Sequence, residues 1–227
     1  MEYLAHISED GLRRQTVAEH LTGTAVRCSA FAAAFGAEAE GKFIGLAHDM
    51  GKCTEAFQNR LLHNGPVVDH ATAGALAACR QNAPLAALCI AGHHGGLPDF
   101  GSRMDRAGDP TFCGRIRKGL EQGCQKCGPS GVDLPSVVRT AAPEDNLQRS
   151  FWARMLYSCL VDADFLDTEQ FMNGESRRGG YESLTTLLRR LEDYIAPWQK
   201  PQTELNRLRC EILNDCMEAG KKPKGIY

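Results

Sequence analysis

Histidine and aspartate residues recur in short, separate segments of this 227-residue chain, and its fold must bring them to a common place if they act together. Five of the seven histidines lie in the segments T-V-A-E-H-L, L-A-H-D-M-G-K, V-D-H-A-T-A-G and A-G-H-H-G-G, and the acidic segment L-V-D-A-D-F-L-D follows. The residues concerned are His20, His48, Asp49, His70, His93, His94 and Asp164. Imidazole and carboxylate groups together bind divalent transition metals. The set therefore predicts a metal site, with enough ligands for two ions.

Helix signals dominate the chain, and strand signals are nearly absent. Thr16-Val-Ala-Glu19 is a capping box that predicts the start of a helix, which continues to Phe35 and ends at Gly36. Further helices are predicted at about 37–50, 54–62, 69–82, 84–92, 111–122, 144–171, 181–195 and 203–219. The stretch 123–143 is rich in Gly, Pro and Ser and is interpreted as a surface insertion. We therefore predict an all-α helical bundle with the metal site between its helices.

The length of the chain allows one domain with a substantial core. We assign residues 1–200 to this domain and residues 201–227 to a terminal helix and a linker. The tail that begins at Gly220 is basic and contains no helix stop. This pattern favours a connection to a further module.

The composition argues against a membrane-spanning protein, a secreted protein and a strongly basic nucleic-acid-binding protein. No apolar run reaches the roughly 18–20 residues of a membrane span, and the N-terminus lacks the features of a secretion signal. The net charge is −2, so a nucleic-acid surface would have to be local. Ten cysteines in a chain without such a signal indicate a reducing compartment, and we expect a cytoplasmic protein.

One cysteine pair has the spacing of zinc ligands. Cys124-Gln-Lys-Cys127 lies in the Gly-rich stretch, with Cys113 as the nearest further candidate and no fourth ligand. We interpret this pair as part of a solvated loop, with a structural zinc site as the alternative.

Five of the predicted ligands lie at helix ends, where adjacent side chains can reach one ion, and His20 and Asp164 could approach the same ion from packed neighbouring helices. On a regular helix His48 and Asp49 would diverge by about 100°. Gly51 places them in a last turn, where the carboxylate can bridge two cations. His70 lies just inside a helix start, and the His93-His94 pair is flanked by glycines that allow a tight turn.

The ligand types limit the choice of ion and suggest a reaction. A set so rich in imidazole suits Mn²⁺, Fe²⁺, Co²⁺, Ni²⁺ or Zn²⁺ better than Mg²⁺ or Ca²⁺. Two such ions can activate a water and hold a phosphate for in-line attack. Lys52 would then neutralise phosphate charge, and the alternative is an exposed lysine near a helix end. The pattern therefore favours a metal-dependent phosphoester hydrolase.

The motifs, from L-A-H-I-S near the N-terminus to L-V-D-A-D-F-L-D-T-E, resemble the HD superfamily in order and spacing. More narrowly, they resemble the HD nuclease domain of the CRISPR-associated type I nuclease-helicase over residues 1 to about 200. H-D-x-G-K alone is typical of the whole superfamily, whereas its combination with D-H-A and H-H-G is more specific. The resemblance implies an HD-domain bundle that cuts single-stranded DNA.

The resemblance also implies a division of the ligands between two ions. One ion would be held by His20, His48, Asp49 and Asp164, and the other by Asp49, His70, His93 and His94. Asp164 is preferred to Asp162 because A-D-F-L matches the superfamily pattern A-D-x-L. Asp162 and Asp167 are interpreted as solvated helix charges, and His6 is expected beside the metal ligands.

The implied partners are single-stranded DNA, an RNA-guided CRISPR surveillance complex and a helicase module, in a prokaryotic cytoplasm. The chain departs from the family in having no G-x-x-x-x-G-K-[ST] motif. We therefore expect a fragment of a fused nuclease-helicase, with a separate nuclease subunit as the alternative.

Two other functions remain open at the level of sequence. An HD phosphohydrolase of small nucleotides shares the H…HD…D core, and a single-metal version would not need His70, His93 and His94. A docking module without activity is the second. Basic residues could follow a DNA backbone or belong to a surface of mixed charge; they are Arg103, Arg106, Arg115, Arg117 and Lys118.

Overall fold

The computed structural model describes residues 2–124, 132–136, 145–174 and 179–223. The chain divides into two compact units, Met1–Ser176 and Arg177–Tyr227. The two units meet at residues 176 and 177, before the boundary expected near residue 200. The assignment of residues 1–200 to one functional domain stays a prediction. Within the described residues, no helix has both the length and the apolar character needed to cross a membrane.

The first unit is built from helices and one small sheet, which confirms the prediction of an all-α fold. Its helices are α1 (Val17–Ala32), α2 (Glu38–Ala47), α3 (Glu55–His63), α4 (Ala71–Arg80), α5 (Pro84–Gly92), α6 (Phe112–Glu121) and α7 (Asn146–Asn173). Short 3₁₀ turns at Ala33–Phe35 and Met50–Cys53 follow α1 and α2. Much of the predicted insertion, Cys127 included, lies outside the described residues.

Two short strands precede the first helix. β1 (Leu4–Ile7) and β2 (Arg14–Thr16) pair antiparallel, with His6 opposite Gln15. The sequence contains no clear signal for either strand. Strands this short contain too few residues to display the alternation that identifies longer ones.

The start of α1 forms as the capping box predicts. The Thr16 hydroxyl accepts a hydrogen bond from the Glu19 amide at 3.1 Å, and Glu19 Oε2 accepts one from the Thr16 amide at 2.8 Å. Gly36 has φ of 74°, in the left-handed region that favours glycine, just after the helical segment ends. These two ends fix the length of α1, and His20 lies in its second turn.

The helices that carry the metal-type residues pack closely through glycines. A Cβ on Gly45 of α2 would lie 2.4 Å from Ala25 Cα in α1, and one on Gly74 of α4 would lie 1.7 Å from the Ala47 carbonyl oxygen. α7 packs against α1 and α5. The largest fully buried apolar side chains of the main core are Phe43, Ile44, Ile90, Leu156 and Leu160. This packing brings the C-terminal end of α2 against its neighbours.

Gly74→Ala is expected to destabilise the first unit, because the added methyl group would meet a backbone oxygen that cannot rotate away. We expect a loss of roughly 1–3 kcal/mol or more in the free energy of unfolding, measured by chemical denaturation. Gly220→Ala is the control, since its Cβ would lie 3.4 Å from the nearest atom. Equal stability of the two variants would contradict the close approach of α4 to α2.

The second unit consists of α8 (Leu184–Ile195), a 3₁₀ turn (Ala196–Gln199) and α9 (Glu204–Ala219) among its described residues. Both helices begin at side-chain caps: Ser183 accepts from the Thr186 amide and Thr203 from the Asn206 amide. The predicted helices at 181–195 and 203–219 are therefore confirmed apart from a shift of one to three residues at their starts.

Candidate metal centre

The structure brings all seven predicted metal ligands to one place. His20 comes from α1 and Asp164 from the middle of α7, while His48 and Asp49 lie where α2 ends. His70 lies at the start of α4, and His93 and His94 follow α5. Among the described residues, two groups of side chains have ligand atoms that all lie within 4.8 Å of one another. The groups are His20, His48, Asp49 and Asp164, and Asp49, His70, His93 and His94.

The first group, which we call the His20 side, surrounds a small space. His20 Nε2 lies 3.4 Å from Asp49 Oδ2 and 3.3 Å from Asp164 Oδ1. His48 Nε2 lies 3.4 Å and 3.6 Å from the same two oxygens. A cation about 2.1 Å from four tetrahedral ligand atoms would separate them by about 3.4 Å. The His20 side therefore has the dimensions of a transition-metal site.

The second group, which we call the His94 side, uses the other oxygen of the same carboxylate. Asp49 Oδ1 lies 3.4 Å from His70 Nε2, 3.2 Å from His93 Nε2 and 3.9 Å from His94 Nε2. The Asp49 side chain is 1% exposed, whereas that of His94 is 54% exposed. Asp49 thus stands between the two sides, and the His94 side is open to solvent.

Hydrogen bonds to the far nitrogens orient three of the imidazoles. The Nδ1 atoms of His48, His93 and His70 lie 2.8, 2.7 and 3.2 Å from the backbone oxygens of Gly45, Ile90 and Val68, respectively. A carbonyl oxygen can only accept, so each Nδ1 carries a hydrogen and donates it. The lone pair of the neutral ring is then on Nε2, which points toward Asp49.

Several of the inward-facing atoms have no hydrogen-bond partner among the described residues, although they are buried. They are the Nε2 atoms of His20, His48 and His93 and Oδ1 of Asp49, while Oδ2 of Asp49 has the ion pair with Lys52. A buried polar atom without a partner is costly, and so many in one cluster are rare. Divalent cations would supply the partners that these lone pairs lack, so the residues present fit the metals that the donor set implies.

The two sides of Asp49 differ in their electrostatics. Burial disfavours a charged His48, but the charges of Asp49 and Asp164 outweigh it and raise the His48 pKa to about 10. On the other side, burial dominates and lowers the pKa of His94 to about 4. Burial disfavours ionised Asp49, but His48 and Lys52 hold its pKa well below the usual value. The carboxylate is therefore ionised and able to bind cations.

Lys52 is buried beside this carboxylate and is not the exposed lysine that was the alternative. The residue is 5% exposed, and its Nζ lies 2.7 Å from Asp49 Oδ2 and 3.2 Å from His6 Nε2. Burial and the charge of Lys52 lower the His6 pKa to about 4. The neutral His6 ring accepts from the ammonium through Nε2 and donates through Nδ1 to Gln15 Oε1 at 2.8 Å. His6 thus lies beside the cluster, where it was expected.

Asp167 is not the solvated helix charge that was expected. It is 7% exposed, and its Oδ2 accepts hydrogen bonds from His20 Nδ1 and from Gln15 Nε2, both at 2.9 Å. The available signal was its spacing, since a residue three positions after Asp164 lies on the same face of a helix. Asp162, in contrast, is exposed as expected. Gln15 was missed because it lies on an unpredicted strand.

Arg115 holds helices together. Its guanidinium donates to Asp69 Oδ1 at 2.8 Å, to Thr72 Oγ1 at 2.8 Å and to the Ala91 carbonyl. It therefore joins α6 to the start of α4 and the end of α5. The other four basic residues considered for DNA contact are exposed; they are Arg103, Arg106, Arg117 and Lys118.

An all-α fold around a cluster of imidazole and carboxylate groups is the arrangement that a metal-dependent phosphohydrolase needs. A family profile described as the HD domain matches residues 17–120. The match includes His20, the His48-Asp49 pair and all three histidines of the His94 side, whereas Asp164 lies beyond its end. No curated protein matches the chain.

Proposed function

We propose that this chain is a two-metal nuclease that hydrolyses phosphodiester bonds of single-stranded DNA. The observation that carries the proposal is the position of Asp49, whose two oxygens face two separate groups of ligands. A single-metal phosphohydrolase would use the His20 side alone. A second group of three histidines around the same carboxylate favours two ions and the in-line displacement that two ions assist.

Each residue would have a separate role in binding the ions or the phosphate. Asp49 would hold both ions; His20, His48 and Asp164 would complete one site, and the three remaining histidines the other. When bound, the ions would supply a water of lowered pKa and neutralise charge on the phosphate. Lys52 has three N–H donors and two polar partners among the described residues, so one donor remains for a phosphate oxygen.

The choice of substrate rests on two arguments. The exposed side chain of His94 opens the centre to solvent on one side, which gives a polymer access to the bridging carboxylate. The order and spacing of the motifs are similar to those of the HD nuclease domain of the CRISPR-associated nuclease-helicase. We therefore propose that the substrate is single-stranded DNA exposed by an RNA-guided surveillance complex, with a helicase module acting in cis or in trans.

The nuclease proposal predicts cleavage of circular single-stranded DNA by the purified chain with Mn²⁺, Co²⁺ or Ni²⁺ and without ATP. Duplex DNA of the same sequence should be cut little, and EDTA should stop the reaction because the site lone pairs would lose their cations. The reaction products are resolved on a denaturing gel. Circular substrate separates endonuclease from exonuclease action in the same experiment.

Two controls identify the other candidate functions. Nucleoside triphosphates are incubated under the same conditions, and phosphate release from them without DNA cleavage would indicate a small-nucleotide phosphohydrolase. Metal-free protein after incubation with each ion would indicate a docking module. Activity in saturating EDTA, or strict dependence on ATP, would contradict the proposal.

A further inference from the structure

The His20 imidazole has a different hydrogen-bond acceptor from its neighbours. His48, His70 and His93 donate Nδ1–H to backbone carbonyl oxygens, whereas His20 Nδ1 lies 2.9 Å from the carboxylate oxygen Oδ2 of Asp167. A carboxylate is the stronger acceptor, and it increases the electron density available at the opposite nitrogen. His20 Nε2 is the atom that faces Asp49 and Asp164.

The chain makes specific room for this carboxylate. A Cβ on Gly23 of α1 would lie 2.0 Å from Asp167 Oδ1, so only glycine at this position lets the α7 side chain approach α1 so closely. Gln15 donates to the same Oδ2 at 2.9 Å from the β2 strand. Asp167 is thus fixed from two elements while it orients His20.

On the His94 side, the far nitrogens of His70 and His93 contact backbone oxygens and not a carboxylate among the described residues. His70 Nε2 and His94 Nε2 lie 2.7 Å apart, so one of the two atoms carries a hydrogen and the pair must separate before both can bind a cation. The side chain of His94 is also 54% exposed, so it is less enclosed by neighbouring residues than His20, which is fully buried. One side of Asp49 is therefore preorganised, and the other must rearrange.

From these contacts we propose that Asp167 is a positioning residue that fixes His20 for metal binding and makes the His20 side the tighter of two ion sites. The inference rests on the two-ion part of the proposed function and not on the identity of the substrate. The inference predicts that the two ions bind in order, and that the first one binds on the His20 side, between α1, α2 and α7.

The test is a calorimetric titration of the metal-free chain with Mn²⁺. Wild type should bind two ions in separable steps, and Asp167→Asn should weaken the tighter step by about 10- to 100-fold. The substitution keeps the shape of the side chain but removes its charge. Asp162→Asn, at an exposed position of the same helix, is the matched control and should leave both steps unchanged.

Further variants assign the two binding steps to the two sides of Asp49. In a His94→Ala background the weaker step should disappear, and adding Asp167→Asn should still weaken the remaining step. Gly23→Ala, which leaves Asp167 intact but pushes its carboxylate away, should reproduce the loss. Circular dichroism in EDTA verifies that each variant is folded, since a purely structural defect would lower the folded fraction and both affinities together.

Wild-type affinity for both ions in Asp167→Asn would overturn the inference, and so would an equal loss at both steps. If two ions bind in this order but single-stranded DNA is not cut, the nuclease proposal fails while the inference about Asp167 stands.

Discussion

Asp49→Ala is expected to empty both ion sites and to abolish cleavage, because this carboxylate is the one ligand that the two sides share. Its loss leaves three imidazoles on the His94 side without a charged ligand, and two imidazoles and one carboxylate on the His20 side. Metal content after dialysis, measured by plasma mass spectrometry, should fall from two ions to none.

Two companion variants make the Asp49 result specific. His94→Ala should lose mainly the ion of its own side, because the other group keeps all four ligands. Asp49→Asn should reproduce the loss of metal while retaining the size of the side chain, which separates the effect of charge from that of a cavity. Equal ion content in wild type and Asp49→Ala would refute the bridging role.

Lys52→Met is expected to lower the rate of cleavage by about 10²–10³-fold, or roughly 3–4 kcal/mol in the activation barrier, while ion binding is retained or strengthened. The ammonium lies 2.7 Å from Asp49 Oδ2, so it repels a cation at the same oxygen, and its removal relieves that repulsion. In the reaction, the ammonium would neutralise the negative charge that develops on the phosphate. Cleavage rates at saturating Mn²⁺ and ion affinities, measured on the same preparation, test both parts.

Lys52→Arg should recover only part of the rate, because a planar guanidinium does not fit the position of a compact ammonium between Asp49 and His6. Lys42→Met, at an exposed position of α2, is the matched control. A parallel fall of rate and ion affinity in Lys52→Met would show that the lysine acts by holding Asp49. An unchanged rate would show that Lys52 does not contribute to the reaction.

The sequence predicts those parts of the fold that depend on local signals. The Thr16–Glu19 capping box and the glycine at position 36 are such signals, and α1 begins and ends near them. The seven metal-type residues could be recognised because imidazole and carboxylate are unusual in apolar helical segments. Five of them are predicted at helix ends, where they lie, whereas His20 and Asp164 reach the same place from within α1 and α7.

What the sequence could not predict depends on contacts between distant segments. Asp167 and Gln15 look like ordinary polar residues, and only the packing of α7 and β2 against α1 shows that they meet at His20. Arg115 likewise could belong to a DNA surface or to the core of the helix packing, and its contact with Asp69 decides between them. Spacing along the chain places Asp167 on the same helix face as Asp164, but it does not show which residues of other segments meet that face.

Because the His20 side takes ligands from α1, the end of α2 and α7, a bound ion would cross-link parts of the chain that are far apart in sequence; its ligands His20 and Asp164 are 144 positions apart. Binding to the folded state alone would add about 2.7 kcal/mol to its stability at an ion concentration one hundred times the dissociation constant. The supply of transition metal in the cell would then set both activity and resistance to proteolysis. A chain without its ions would lack this contribution to stability, and a larger fraction of it would be unfolded and open to proteases.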